Sequence, residues 1–177
     1  MEKIHDVLVL HGHRILAQTL PVLDKNNISS EELSSLLSNM NAIMLKHNGV
    51  GLAANQIGRS ERIFIAKSDS GYSCFINPVI LSYSGSVESL DEGCLSVPGV
   101  SSQVERHKMV ELQWQDEQWR QHVQQFEGLM AQIIQHEVDH LNGKLYIDHF
   151  KPLKRQILLD KHKKHLRSIN KSRFNRS

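Results

Sequence analysis

Phe126-Glu127-Gly128-Leu129-Met130-Ala131-Gln132-Ile133-Ile134-Gln135-His136-Glu137-Val138-Asp139-His140-Leu141 carries two patterns at once. Phe126, Leu129, Met130, Ile133 and Ile134 recur at steps of three and four, which predicts a helix over about Gln125 to Leu141 with one apolar face. Asn142-Gly143 ends it. The stripe runs into His136-Glu137-Val138-Asp139-His140, which has the form H-E-x-x-H. Residues four apart on a helix share a face, so both imidazoles can reach one divalent ion. Glu137 projects beside such an ion and is placed to take a proton from water. The same five residues could form a plain polar turn, because so short a string arises by chance. The apolar turns before it weigh against that. Polar groups at the end of a buried stripe need compensation, and a metal supplies it.

A metal that does chemistry needs a third protein ligand and one open position. His149 lies beyond the Asn142-Gly143 break. Cys94 is the better candidate, within Glu92-Gly93-Cys94-Leu95-Ser96-Val97-Pro98-Gly99. Gly93 is expected to let the backbone crowd the metal, and Pro98-Gly99 to turn the chain. A cysteine beside a divalent ion binds as thiolate. Alone, Cys94 would be read as a buried cysteine, and Cys74 keeps that reading. A third string, Gly49-Val50-Gly51-Leu52-Ala53-Ala54-Asn55-Gln56, leaves backbone open to a ligand and offers the Gln56 amide as a donor. A glycine-rich helix exit explains it equally well. It lacks the lysine and hydroxyl residue of a phosphate loop.

Outside these strings, Leu33, Leu36, Leu37, Met40, Ile43 and Met44 predict a helix over about Glu31 to His47. Ser29 and Glu32 form a capping box at its start, and Gly49 is expected to take the left-handed turn at its end. Short strands are read at Arg62–Ala66, Tyr72–Ile76, Val79–Tyr83 and Met109–Trp114, with a hairpin over Gln113 to Gln121. Leu145–Ile147 reads as extended. Pro152 then opens a C-terminal helix with Leu153, Ile157, Leu158 and Leu159 inward. The order gives an α+β fold: mixed or antiparallel β-sheets wrapped around a central metal-binding helix, with an N-terminal and a C-terminal helix.

The 177 residues, 40% apolar and 23% charged, suit one domain with a sizeable core. Residues 1–166 are read as the catalytic domain and 167–177 as a basic tail. No apolar run approaches the roughly 20 residues of a membrane span, and no signal peptide is read at Met1–Asp6. Two cysteines suit a reducing cytoplasm. Ten of the 21 Lys/Arg but one of the 19 acids lie in residues 151–177, so this arm carries +9 and the rest −7. Such an arm attracts polyphosphate, although solvated basic helix ends are common.

Gly49 to Gln56, Glu92 to Ser96 and His136 to His140 are similar, in order and without mismatch, to the three signatures of peptide deformylase, G-x-G-x-A-A-x-Q, E-G-C-x-S and H-E-x-D-H. Phe75-Ile76-Asn77-Pro78 and Val97-Pro98-Gly99 add local similarity. The resemblance spans roughly Ile4 to Leu166, in the compact bacterial type. It implies a metal-dependent hydrolase that removes the N-formyl group from the initiator methionine of nascent polypeptides. It implies Cys94, His136 and His140 as ligands to one Fe(II), which zinc, nickel or cobalt can replace. Glu137 is implied as the proton-transfer group, with Gln56 and the Leu95 N–H as oxyanion donors. Val50, Leu90, Leu129, Gln132 and Ile133 match the methionine pocket, and Gly49 and Gly51 match positions whose main chain meets the peptide. Arg106 is expected to pair with Asp139 behind the histidines. Lys154, Arg155, Lys161, Lys163 and Lys164 are expected to meet the ribosome near its exit tunnel. A monomer acting on N-formylmethionyl nascent peptide, without membrane attachment, is expected.

Three departures concern the rim. His11-Gly12-His13 stands where relatives have a proline-containing turn. Ser101-Ser102 stands where a basic residue is common. Gln132 stands where an apolar pocket residue is usual. A zinc metalloprotease using H-E-x-x-H is a second enzyme reading, disfavoured by Cys94 and Gln56. An inert ribosome- or RNA-binding relative is a non-enzymatic one, disfavoured by the intact Glu137.

Overall fold

The computed structural model describes residues 8–69 and 71–174. The antiparallel sheet is built around one strand. In β2 (Ile63–Ser68), alternate side chains point to opposite faces, and both faces are covered. Ile63 and Ile65 pack on α1 (Ser30–Lys46) through Leu37, Met40, Ile43 and Met44. Phe64 and Ala66 pack on α2 (Gly128–Leu141) through Ala131, Ile134, Val138 and Leu141. A strand buried on both sides reads as an unbroken apolar run, as Ile63-Phe64-Ile65-Ala66 does. Around it the order is β1 (Gly51–Ala53), β2, β3 (Gly71–Gly93), β4 (Ser101–Gln115), β5 (Gln121–Glu127), every pairing antiparallel.

α1 starts as its sequence dictates. The Ser29 hydroxyl accepts from the Glu32 N–H, and the Glu32 carboxylate accepts from the Ser29 N–H. The helix end differs from expectation: the left-handed residue is Asn48 (φ 55), and asparagine tolerates that conformation. The Gly49 N–H closes the turn by donating to the Met44 carbonyl at 2.8 Å.

Two expected strands, 72–76 and 79–83, are parts of the single strand β3. Asn77 takes a positive φ of 51, and the register shifts between Ile76 and Val79. The Asn77 amide exchanges two hydrogen bonds with Leu23, both 2.8 Å, so the chain bulges instead of ending. The start of α2 also differs. Residues 125–127, expected to be helical, belong to β5, where Phe126 pairs with Val110 and packs on Phe75 and Trp114. Phe126 lies three before Leu129, so helical spacing captured it by coincidence. Gly128, with φ +61, makes the corner.

The far end of α2 is fastened by a buried cation. Arg62 donates to the carbonyls of Leu20, Leu141 and Pro78 and to Asn142 Oδ1. A positive charge at a helix C-terminus is favoured by the aligned carbonyls. Leu145 is extended, but Tyr146 and Ile147 are not: a 3-10 turn spans Tyr146–His149, with the Asp148 carboxylate accepting the Leu145 N–H. α3 (Pro152–Phe174) runs unbroken through position 166. Half of its expected inward face holds, and a histidine joins it. Leu158, Leu159 and His162 are buried, whereas Leu153 is 76% exposed and Ile157 is exposed too. The buried histidine belongs to the inward face, and periodicity of apolar residues alone cannot register it.

Candidate metal centre

Two elements deliver the ligands. α2 presents His136 and His140 one turn apart, and the loop after β3 presents Cys94. The Cys94 sulfur and one nitrogen of each ring lie within 4.8 Å of one another, all buried. Cys94 Sγ is 3.1 Å from His140 Nε2. The loop is fixed by the Val97 N–H, which donates to the Cys94 carbonyl at 2.9 Å. His136 Nδ1–H donates to Glu92 at 2.9 Å, which turns Nε2 toward the sulfur. One thiol and two imidazoles with borderline-soft character suit a divalent transition metal.

The electrostatics agree with this donor set. Burial opposes ionisation of Cys94, but the rings of His140 and His136 outweigh it and hold the thiol well below its ordinary range. Burial works against protonated His136, and Cys94 and Glu92 overcome it, raising the ring well above its usual value. Both shifts favour an ionised sulfur, the form in which cysteine binds a metal. Glu137 is only 3% exposed, and its Oε2 has no hydrogen-bond partner among the described residues. Burial pushes its carboxyl up to about 7, against the opposing pull of His136 and His140.

The glycine-rich string meets this centre in two ways. A Cβ on Gly51 would fall 2.5 Å from Glu137 Oε1 and 2.9 Å from Ile133, so only glycine lets the carboxylate lie against β1. Gln56 Oε1 accepts from the Ala53 N–H at 2.8 Å, which ties down the carbonyl end of its amide. Its Nε2 then points at Cys94 Sγ (3.5 Å) and Ser96 Oγ (3.3 Å), leaving donors at the centre. Gly93 lies beside Cys94 in open surroundings. Beyond its chain neighbours, a Cβ there would meet only the Val100 carbonyl, at 3.8 Å, among the described residues, and Gly93 lines the cleft.

Behind the ligands lies a buried chain of charges. Arg106 grips Glu92 with two hydrogen bonds, 2.8 and 3.0 Å, and donates to Asp139 at 2.7 Å. His149 Nε2 meets the same Asp139 oxygen at 2.7 Å. Burial would raise the Glu92 carboxyl, yet His136 and Arg106 hold it down at about 2. Glu92 and His149 were not among the expected site residues. The available signal for Glu92 was an acid beside Gly93-Cys94, which needs a partner if buried. Replacing Arg106 by alanine leaves Glu92 without its cation and frees His136 to tilt. Metal affinity in a competing-chelator titration is expected to fall by about 10–100-fold. Unchanged affinity would remove Arg106 from this role.

A cleft of about 800 Å³ opens beside the centre. Val50, Leu129, Gln132 and Ile133 line it, with Gly49 and Gly51 on its floor. Leu129 is 63% exposed, against its expected burial: it forms the rim, while Ile133 one turn later is 6% exposed. Gln132 Nε2 donates to the Asp91 carbonyl at 3.2 Å, bridging α2 and β3. Leu90 does not line the cleft. It pairs with Val104, and Asp91, Glu92 and Gly93 of β3 form that wall. Along α3, Lys154, Lys161, Lys163 and Lys164 are exposed. Arg155 is half-buried and donates to Asp148 at 2.7 Å, so its charge is already engaged.

The family described as polypeptide deformylase matches residues 5–156 of this chain. The peptide deformylase of Thermotoga neapolitana is 41% identical over 142 residues, covering 80% of this chain and 84% of its own. A crystal structure of a peptide deformylase from Legionella pneumophila superposes with a TM-score of 0.84 at 33% identity, covering 93% of this chain and 96% of its own. The Met-Ala-Ser-bound class I type b enzyme of Acinetobacter baumannii superposes with a TM-score of 0.76 at 35% identity, covering 81% and 97%. Sequence and fold thus meet on the same strings that build the sulfur–imidazole centre, and the chain belongs to the polypeptide deformylase family.

Proposed function

We propose that this chain removes the N-formyl group from the initiator methionine of nascent polypeptides and releases formate. The observation that carries this is the convergence of Cys94, His136 and His140 within 4.8 Å, with buried Glu137 beside them. Cys94, His136 and His140 would hold one divalent ion, with Fe(II) as the native metal and zinc, nickel or cobalt as substitutes. When bound, the ion supplies Lewis acidity that lowers the pKa of water and polarises the formyl carbonyl. Glu137 takes a proton from a water in the cleft as the water oxygen attacks the formyl carbon. The Gln56 Nε2–H and the Leu95 N–H meet the oxyanion, and losing one such donor typically costs about 3 kcal/mol. Glu137 passes its proton to the amide nitrogen as the C–N bond breaks, and formate and a free methionine amine leave.

Val50, Leu129, Gln132 and Ile133 would enclose the methionine side chain, and Gly49 and Gly51 would meet the peptide backbone. The related enzyme with Met-Ala-Ser bound supports a peptide in this cleft. The deciding experiment measures formate release from formyl-Met-Ala-Ser after anaerobic metal loading, beside formyl-Gly-Ala-Ser and casein. Formate from the methionine peptide is expected at about 10–200-fold higher kcat/KM than from the glycine peptide, with casein uncut. Equal values would remove the pocket, and casein cleavage would favour the metalloprotease.

Exposed Lys154, Lys161, Lys163 and Lys164 support docking to ribosomal RNA near the exit tunnel. Such binding should weaken with salt and with neutralisation of these lysines, and sedimentation indifferent to both would contradict it. We place the enzyme in the cytoplasm as a monomer. Among the described residues no helix is long and apolar enough to cross a membrane.

A further inference from the structure

One wall of the cleft comes from α3. Leu166 and Ile169 are three apart, so they share a face, and both line the same cleft as Cys94, Gln56 and Glu137. Leu10, Val97 and Val100 line the same cleft. Two of the contacts that hold the helix are made with the turn at Pro98-Gly99. His162 Nδ1–H donates to the Pro98 carbonyl at 2.9 Å. Gly99, with φ +81, lies so close to the His165 ring that no side chain would fit.

The neighbouring positions Lys163, Lys164 and Arg167 are exposed and basic. Leu166 and Ile169 are half-buried apolar residues turned from that charged surface to the cleft. A volume of about 800 Å³ suits a ligand larger than one methionine side chain. The methionine slot takes its walls from α2 and residues 49–51, so the α3 wall remains for something further along the peptide.

We propose that Leu166 and Ile169 form an apolar subsite that selects the residue one or two positions downstream of the formylated methionine. This rests on the deformylase reading above. The subsite is continuous with the metal centre through Leu95, which lines the cleft beside Cys94. A leucine seated there loses water against two aliphatic side chains, whereas a serine gains nothing.

The test compares kcat/KM of the metal-loaded full chain on formyl-Met-Ser-Ser, formyl-Met-Leu-Ser and formyl-Met-Ser-Leu. The wild type is expected to prefer one leucine peptide over the serine peptide by about tenfold. In the double variant Leu166→Gln, Ile169→Gln, which keeps good helix formers, that ratio should fall to about one. A wild type that treats all three alike overturns the subsite, as does a preference that survives in the variant. Absence of turnover on all three overturns the deformylase reading and the subsite with it. If the variant does not fold by circular dichroism, photo-crosslinking decides. Formyl-Met-Leu*-Ser and formyl-Met-Ser-Leu*, with a diazirine leucine at the starred position, are bound to metal-loaded Glu137→Gln. Label on α3 from either peptide supports the subsite, and label confined to other elements from both overturns it.

Discussion

Replacing Glu137 by alanine or by glutamine is expected to lower kcat by roughly 10²–10⁴-fold while the chain still binds one divalent ion. The two variants separate space from proton transfer. Glutamine keeps the shape that packs against Gly51 and Ile133, yet it cannot take a proton from water. Alanine removes both. Equal loss in the two assigns the effect to the proton, whereas near-normal turnover of the glutamine variant would defeat the role. Metal content should be unchanged, because Glu137 is not one of the three converging ligands. Folding should not suffer either. Burial raises this carboxyl to about 7 in the metal-free chain, so between its ordinary range and that value folding must disfavour the ionised form. Relieving that cost means Glu137→Gln should melt no lower than wild type near neutral pH. A chain that lost both metal and stability on this change would be using Glu137 structurally.

Much of the centre was legible because its chemistry is local in sequence. His136 and His140 lie one turn apart, and the helix converts that spacing into shared direction. The Ser29–Glu32 box and the Ile63–Ala66 run likewise read directly, since a cap and a strand buried on both faces are short-range patterns. What was not legible depends on partners distant in sequence. Residues 125–127 read as helix because Phe126 keeps helical spacing, and only pairing with β4 makes them a strand. Leu129 reads as core, but a cleft lies over it. Leu90 reads as pocket, but the residues of β3 that line the cleft are Asp91, Glu92 and Gly93. On α3 the inward face includes His162, whose burial follows from a carbonyl supplied by Pro98, 64 residues earlier. The same holds for Glu92, whose importance appears only when Arg106 and His136 close around it. The basic arm reads as a tail, while the fold uses its apolar residues as wall.

Replacing Cys94 by alanine should cost more than any other change at the centre. It removes the anionic member of the ligand set and leaves two neutral rings facing a cation. Affinity should fall by more than the about 100-fold typical of losing a residue behind a ligand. After dialysis the variant should hold almost no metal and release no formate. Wild type stripped with a chelator should behave the same way and recover when Fe(II) or zinc is returned. The pocket makes this asymmetric between the two cysteines. At Cys94 the rings of His140 and His136 overcome burial and hold the thiol well below its ordinary range. At Cys74 burial is unopposed by any cation and the thiol is pushed up, against α1 in the apolar core. Cys74→Ala should therefore keep full metal stoichiometry and lose only packing. Cobalt adds a direct readout, since a thiolate ligand gives a sulfur-to-metal charge-transfer band. That band should be present in wild type and Cys74→Ala, and absent in Cys94→Ala. Tight stoichiometric metal in Cys94→Ala, or a band that follows Cys74, would move the sulfur ligand elsewhere and dissolve the centre as drawn.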